Sequence, residues 1–493
     1  MSRRVLSLVV GCGMLAHSAS GQGYRLRLDT RLQAVAFRGV TFDSIPASDT
    51  VTGPSGGPRT QDGYAVSCQP GLPYCYFYRP GPAERSLPVV TTADLSLWGM
   101  GVPGLSVRVA ARLGVDLGAT STWPGTAPAV QLLEAYADYA TDRLTARAGR
   151  QFVTSRLGYE GFDGARIIVR DSRRLLEGGG FAGWGLERGV ALPVTSPALN
   201  PLDDFQPRRR QLVAGVEGGW TGPWIDLHAD YLREVDPDVS KFVSERVGVQ
   251  SVVRPVPGVT VQAGSDWDLA MGQWGSAEVA ATYTQARYSG TVGLRRYRPH
   301  FELWTIWGAF SPVPYHTWFA RGSAHAAAWL DIHGQLERYR FSPAEVSTAL
   351  VDVVSDGWRW GLDATTTRGR WALDAGYHAE FGTGASSAGF AGSLAYTAAS
   401  RLTLVLQGSS LQRPLEFRFD DARLWSAGLG IQGDATPWLR LDLGATYYGE
   451  ERRRPDRAAF DWNQLRVTAR AVVVLGSGAD LRSLPPGRPR SSP

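Results

Sequence analysis

Apolar and charged residues alternate with period two along this chain, in segments of about 10 to 13 residues, from end to end. Tyr24, Leu26, Leu28, Thr30 and Leu32 share one face of an extended segment, and Arg25, Arg27, Asp29, Arg31 and Gln33 share the other. Leu105, Val107, Val109, Ala111, Leu113 and Val115 oppose Ser106, Arg108, Arg112 and Asp116, with Ala110 and Ala111 read loosely. Trp371, Leu373, Ala375, Tyr377 and Phe381 oppose Asp374, His378 and Glu380. Near the C-terminus, Leu439, Leu441, Leu443, Ala445 and Tyr447 oppose Arg440, Asp442 and Thr446, and Leu465, Val467, Ala469, Ala471 and Val473 oppose Gln464, Arg466, Thr468 and Arg470. Successive strand side chains point to opposite faces, so every segment has one greasy and one charged side.

A soluble sandwich also alternates, but three features favour a membrane crossing. The segments exceed the usual 5–6 residues of soluble strands and suit a tilted span of the bilayer. Aromatic residues lie near segment ends: Tyr24, Phe37, Trp98, Tyr139, Trp224, Trp371, Phe381 and Trp438, as interfacial girdles require. Tight turns (residues 99–104, 141–143, 221–223, 369, 399–401 and 434–437) also alternate with longer polar connections (39–87, 118–128, 152–162 and 450–462). The expected fold is all-β: a transmembrane antiparallel up-and-down β-barrel over residues 22–476, with about 18 strands in a range of roughly 16 to 20. Residues 193–210 and 304–316 do not parse, and Gly178-Gly-Gly180 reads as a flexible turn.

A mean hydropathy of −0.16 looks soluble, yet half of each barrel strand faces a wet lumen, so bulk apolarity is the wrong measure. Residues 1–21 read as a signal peptide: Arg3 and Arg4, an h-region from Val5 to Ala16 too short to span a bilayer, then small residues. Ser2-Arg3-Arg4 hints at the twin-arginine route, and Val9-Val-Gly-Cys12 at a lipoprotein box; the general secretory route suits a barrel better. No later apolar run reaches the ~18 residues of a transmembrane helix. Location in the bacterial outer membrane follows, with outer-membrane lipid and the barrel-insertion machinery as partners. The chain does not finish on the aromatic residue such barrels usually carry. Residues 477–493, rich in Pro and Arg, read as a disordered tail.

Cys68 and Cys75 flank a Pro/Gly turn, and an oxidising compartment favours a disulfide pinning that loop over a metal site. Apart from Lys241 the basic residues are arginines, dispersed at strand spacing, which argues against nucleic acid as a partner. The expected lumen face carries Arg25, Arg27, Arg31, Arg108, Arg112, Arg147, Arg166 and Arg170, with Asp29, Asp94, Asp116, Glu134 and Asp138 interleaved. Two readings stand: a guanidinium ladder selecting anions, or a mutually neutralising network supporting the wall. Asp203, Asp204, Arg208, Arg209 and Arg210, among four prolines, form either a constriction folded inward or a surface loop. Asp226, His228 and Asp230 share a face, but neighbours two apart are awkwardly spaced for one metal ion and read as lumen polarity. The aromatic stretch 297–310 reads as a girdle with its loop, or as a stacking surface for sugar rings. No His, Ser or acid constellation points to an enzyme, and no cofactor is expected.

Leu133-Glu-Ala-Tyr-Ala-Asp-Tyr139, then Leu144-Thr-Ala-Arg-Ala-Gly-Arg-Gln151, then Phe162-Asp-Gly-Ala-Arg166 resemble, in content and order, strands of the alginate-export family of outer-membrane porins. The resemblance covers about 35 residues. It implies an 18-stranded barrel with an arginine-rich conduit for an anionic polyuronate, with Arg147, Arg150 and Arg166 as conduit residues. Two departures stand out: the stretch between Gln151 and Phe162 is short for the family, and Arg150 falls in the apolar phase of its strand, at a bulge or at the interface. The sequence therefore points to a channel for small anions or acidic saccharides. The alternatives are a non-conducting structural or adhesion barrel, and a soluble periplasmic β-protein.

Overall fold

A computed structural model describes residues 23–53, 56–118, 129–186, 211–236, 241–298, 314–342, 356–382, 385–416, 422–452 and 463–477. The expected signal peptide and most of the expected tail lie outside these residues. So does the proposed constriction loop with Asp203, Asp204, Arg208, Arg209 and Arg210.

The described chain is one large antiparallel sheet rolled shut, with a small two-stranded sheet, Val51–Thr52 against Pro58–Arg59, in the first connection. Gly23–Pro46 pairs on one side with Asn463–Gly476 and on the other with Pro88–Trp98, so the first and last strands are neighbours. Tyr74–Ser86 pairs with the upper half of Gly23–Pro46 and runs through Leu87 into Pro88–Trp98, so these two elements form a single wall strand. Asp116 fixes that joint: it accepts hydrogen bonds from Ser86 Oγ (2.5 Å) and the Leu87 N–H (2.9 Å). The ring contains 22 strands, which corrects the expectation of 18. Closure leaves no edge strand, and in a bilayer it is what satisfies every backbone polar group of a sheet.

The miscount has local causes. Residues 152–162, read as a long connection, are strand up to Ser155 and again from Gly158, leaving a two-residue tip, Arg156 and Leu157. Gly178-Gly-Gly180, read as a turn, is the interior of the strand Leu176–Gly185. Elsewhere the turns hold their places. Residues 99–104, 141–143, 222–224, 369–370, 400–401 and 437–438 connect strands at one end. The strand ends Pro46 and Tyr74, Asp116 and Val130, and Arg452 and Asn463, between which the longer stretches of sequence run, lie at the other. Short turns belong to the periplasmic side of such barrels and long ones to the outside.

Alternation decides what each face meets. Ile167, Val169, Val292, Leu294, Leu362, Leu406, Leu429, Leu443 and Leu465 are each more than half exposed and point outward. On a soluble surface such a belt is a liability; around a closed barrel it is the lipid face. Trp371 stands at the turn end of that face, with Trp224, Trp329 and Trp438 in the adjoining turns, and Trp184, Trp267, Trp274, Trp318 and Trp358 ring the loop end. Trp98, expected in the girdle, instead shares the lumen phase of Asp94 and Ser96 and lies over Gly23. From Trp371 to Phe381 a strand advances about 33 Å at ~3.3 Å per residue, which a tilt of roughly 40° converts to about 25 Å of bilayer normal. That matches the apolar band of outer-membrane barrels, and the protein is an integral outer-membrane barrel.

Above the wall, the first connection folds on itself. Cys68 and Cys75 are bonded, and Cys75 packs with Val66 and Phe77 under Ile45 and Tyr64. The other cluster of buried apolar residues lies inside the barrel, around Leu157.

Candidate functional site

The lumen carries two contrasting walls. At the seam, closure sets Arg25, Arg27 and Arg31 beside Arg466 and Arg470, with Arg440 on the next strand. Asp29 is the hub. Arg470 grips it with two bonds (Nε–Oδ1 2.8 Å, Nη2–Oδ2 2.6 Å), and Arg31 (3.4 Å) and Arg27 (3.7 Å) lean on the same carboxylate. Asp442 lies 3.6 Å from Arg470, and Asp434 holds Arg440 at 2.7 Å. These six arginines therefore face three aspartates, and the excess is basic. Continuing round the wall, Arg108 bridges Asp94 (2.9 Å) and Glu134 (3.1 Å), and Arg147 pairs with Asp138 (2.9 Å) beneath the Tyr136 ring. Arg170 reaches Glu177 (3.6 Å) and Thr145 (2.7 Å). Arg25, Arg31 and Arg112 are exposed to the lumen, and Arg25 and Arg112 make no ion pair with another described residue.

The strand Gln273–Thr284 stands diametrically opposite Gly23–Pro46 in the ring. This second wall is acidic in balance. Glu278, Glu337, Asp363 and Glu380 share it with Arg295 and Arg359, which pair with them at 2.8–3.9 Å. Asp363 takes His378 (2.9 Å).

Between the walls, the tip of the hairpin Leu144–Ser155/Gly158–Asp171 turns into the lumen. Leu157 packs on Val213, Leu232 and Phe181, side chains from three successive strands. Its carbonyl accepts a 2.7 Å bond from Arg246 Nη1, and Arg156 extends to Asp266 (3.8 Å) on the strand Val259–Asp268. Glycine makes this approach feasible: a Cβ at Gly264 would stand 2.3 Å from Arg156 Nη1. Below the hairpin, Gln151 and Phe162 are fully buried, with Phe162 stacked on Phe181 at 5.0 Å. Among the described residues, this is the element that crosses from one part of the wall to another through the lumen.

Arg166 and Glu217 form a bidentate pair (2.8 and 2.7 Å) across the intervening strand Leu176–Gly185. The pair lies over Gly179, where a Cβ would come within 3.1 Å of Glu217 Oε1 and 2.7 Å of the Ile167 carbonyl. Gly179→Leu is expected to break the pair and cost about 2 kcal/mol, a charge-assisted contact discounted for partial exposure. Gly178→Leu adds its side chain on the lipid side, where the nearest atom is 3.9 Å away, and is expected to be neutral. Urea unfolding of the detergent-solubilised barrel checks this, and equal midpoints for the two variants would refute it.

Other residues singled out by sequence fare differently. Arg150 does not line the pore. Alternation puts it on the outer face with Asp163, which it grips at 2.7 and 2.9 Å, and on that face of Gly158–Asp171 lie the exposed Ile167 and Val169. Its neighbour Gly149 has φ +125° and would drive a Cβ into the Ala135 carbonyl, so the strand is irregular where the phase looked wrong. His228 and Asp230 bond at 2.9 Å and converge with Glu217, but Arg166 already claims both Glu217 oxygens; Asp226 pairs with Arg254 at 2.6 Å instead. Tyr297 is tilted against Tyr315 (5.4 Å between ring centroids), and residues 299–313 lie outside the described chain. Sequence reading passed over Arg440, Arg466 and Arg470 as pore residues. The signal was present: a closed barrel must place its last strand against its first.

No family model matches the chain, so membership of the alginate-export family is not supported, and no curated protein matches it. Among solved structures, it is similar to the outer membrane protein opdK from Pseudomonas aeruginosa at 9% identity, covering 92% of this chain and 99% of that one with a TM-score of 0.40. A BenF-like porin from Pseudomonas fluorescens Pf-5 gives 10% identity, 92% and 99% coverage and a TM-score of 0.41. The siderophore receptor PirA from Pseudomonas aeruginosa gives 12% identity, 92% and 80% coverage and a TM-score of 0.40.

Proposed function

We propose that the barrel is a channel for anionic solutes, which pass along the basic seam beside the inward hairpin tip. The observation carrying this reading is the cluster of six arginines on three aspartates at the seam, with Arg25, Arg31 and Arg112 exposed to the lumen. Neutralised pairs build the wall; the exposed guanidinium groups of Arg25 and Arg112, and the Arg31 group beyond its 3.4 Å contact with Asp29, can exchange water for a carboxylate or phosphate. An acidic wall opposite sets a field across the pore, so a solute with separated charges is oriented as it passes. Acidic saccharides suit such a lumen because each sugar unit presents a carboxylate to successive arginines.

Reconstitution in planar bilayers tests this. Under a salt gradient the reversal potential is expected to report anion preference, and oligouronates are expected to block current at concentrations where neutral oligosaccharides of equal length do not. Cation preference would overturn the anion reading, and silence across many insertions would leave a structural barrel.

A further inference from the structure

A trough indents the lipid-facing surface where the strands 241–256, 259–268, 273–284, 288–297, 315–327 and 330–341 stand side by side. Its volume is about 1030 Å³. Small residues, Ser251, Ala263, Ser265 and Ala277, make the floor. Trp267 and Trp274, stacked at 5.8 Å, wall one side, and Trp318 walls the other. All of these point outward by strand alternation, on the face of the exposed Leu294 and Val279.

At the loop end, pairing register lines up Arg296, His316, Arg340 and Asp356 across four adjacent strands, again on the outer face. Arg338, one row below, is held by Asp356 at 3.2 Å and lies over the Trp358 ring. The Arg296 guanidinium lies over the Trp274 ring at 5.3 Å, with its Nε shielded from solvent and without a hydrogen-bond partner. Arg340 makes no ion pair with another described residue. A charge on the lipid face is tolerated only near the interface, and this row stands at the level of the outer girdle. The result is an apolar trough capped by cations.

We propose that this trough binds one phosphorylated, multiply acylated lipid of the outer leaflet, with an acyl chain on the Ala/Ser floor and its phosphate between Arg296 and Arg340. Charge complementarity selects the occupant. Guanidinium groups pair with phosphate oxygens in a fixed fork, and a zwitterionic or neutral lipid offers this row no net charge. A second copy of the chain would present the same cations to themselves.

Native mass spectrometry of the detergent-solubilised barrel, with diphosphoryl lipid A as probe, tests the assignment. One lipid per barrel is expected to persist, and Arg296→Gln/Arg340→Gln is expected to weaken retention roughly tenfold, the loss of charge-assisted bonds to one phosphate. Ala277→Trp, which fills the floor and leaves every charge in place, is expected to weaken it as well. Heat-modifiable gel mobility verifies that each variant remains a folded barrel. Equal retention by both variants, equal retention of dephosphorylated lipid A, or lipid-free dimers through this face would each overturn the proposal.

Discussion

Leu157→Asp should raise the single-channel conductance of the reconstituted barrel roughly twofold, the largest change expected from one substitution, because the tip then no longer occupies the lumen. Twenty-two strands enclose a bore roughly 40 Å across between backbones, at ~4.8 Å per strand and a tilt near 40°, so what projects inward governs the current. The tip is latched by two contacts. Leu157 is 8% exposed among Val213, Leu232 and Phe181, and burial of that side chain contributes about 2 kcal/mol. The Arg246 bond to its carbonyl adds about 1.5 kcal/mol. An aspartate there forfeits the apolar contact and adds the penalty of a charge among apolar groups, which exceeds about 3 kcal/mol. Each 1.4 kcal/mol is tenfold in population, so the tip spends nearly all its time released. Arg246→Ala removes the smaller contact alone and should leave the mean conductance within a small fraction of the wild type while adding open-state noise. If Leu157→Asp conducts like the wild type while remaining a folded barrel, the tip does not constrict the pore.

The alternation in the sequence told which side chains meet lipid and which meet the lumen, because each strand carries that signal by itself. Trp371, Leu373, Tyr377 and Phe381 point outward as the pattern requires. Strand number was harder to read. Where a lumen position must accommodate an ion pair spanning two strands, as Gly179 does for Arg166 and Glu217, glycine replaces the residue that would mark the phase. The tip was illegible for another reason. Its partners Val213, Leu232, Arg246 and Asp266 lie far downstream, and no local periodicity announces a contact made through the lumen. The same holds for the outer row of Arg296, His316 and Arg340, which only strand register assembles. Arg150 is an instructive middle case. Its phase was visibly wrong for a pore residue, and the bidentate bond to Asp163 shows how a charge rests on the outer face, neutralised at its own strand pair.

Converting Arg25, Arg31 and Arg112 together to glutamate should invert the sign of the reversal potential at low salt. These three are the exposed members of the seam and its continuation; Arg25 and Arg112 make no ion pair with another described residue, and Arg31 makes only a long 3.4 Å contact with Asp29, so most of their charge acts on the solution. Replacing them changes the charge facing the pore while leaving the wall's own pairs in place: Asp29 keeps its two bonds from Arg470, and Arg108 keeps Asp94 and Glu134. Exposed positions contribute about 1 kcal/mol or less to stability, so the barrel should fold. Screening supplies the control. The Debye length is about 10 Å at 0.1 M salt and about 3 Å at 1 M, and the bore is much wider than either. The inversion should therefore be clear in dilute salt and shrink towards neutrality in concentrated salt, whereas a change in pore shape would persist at both. A variant that stays anion-preferring at low salt would show that selectivity resides elsewhere than in this stripe. The wall pairs would then be the whole of what the arginines do.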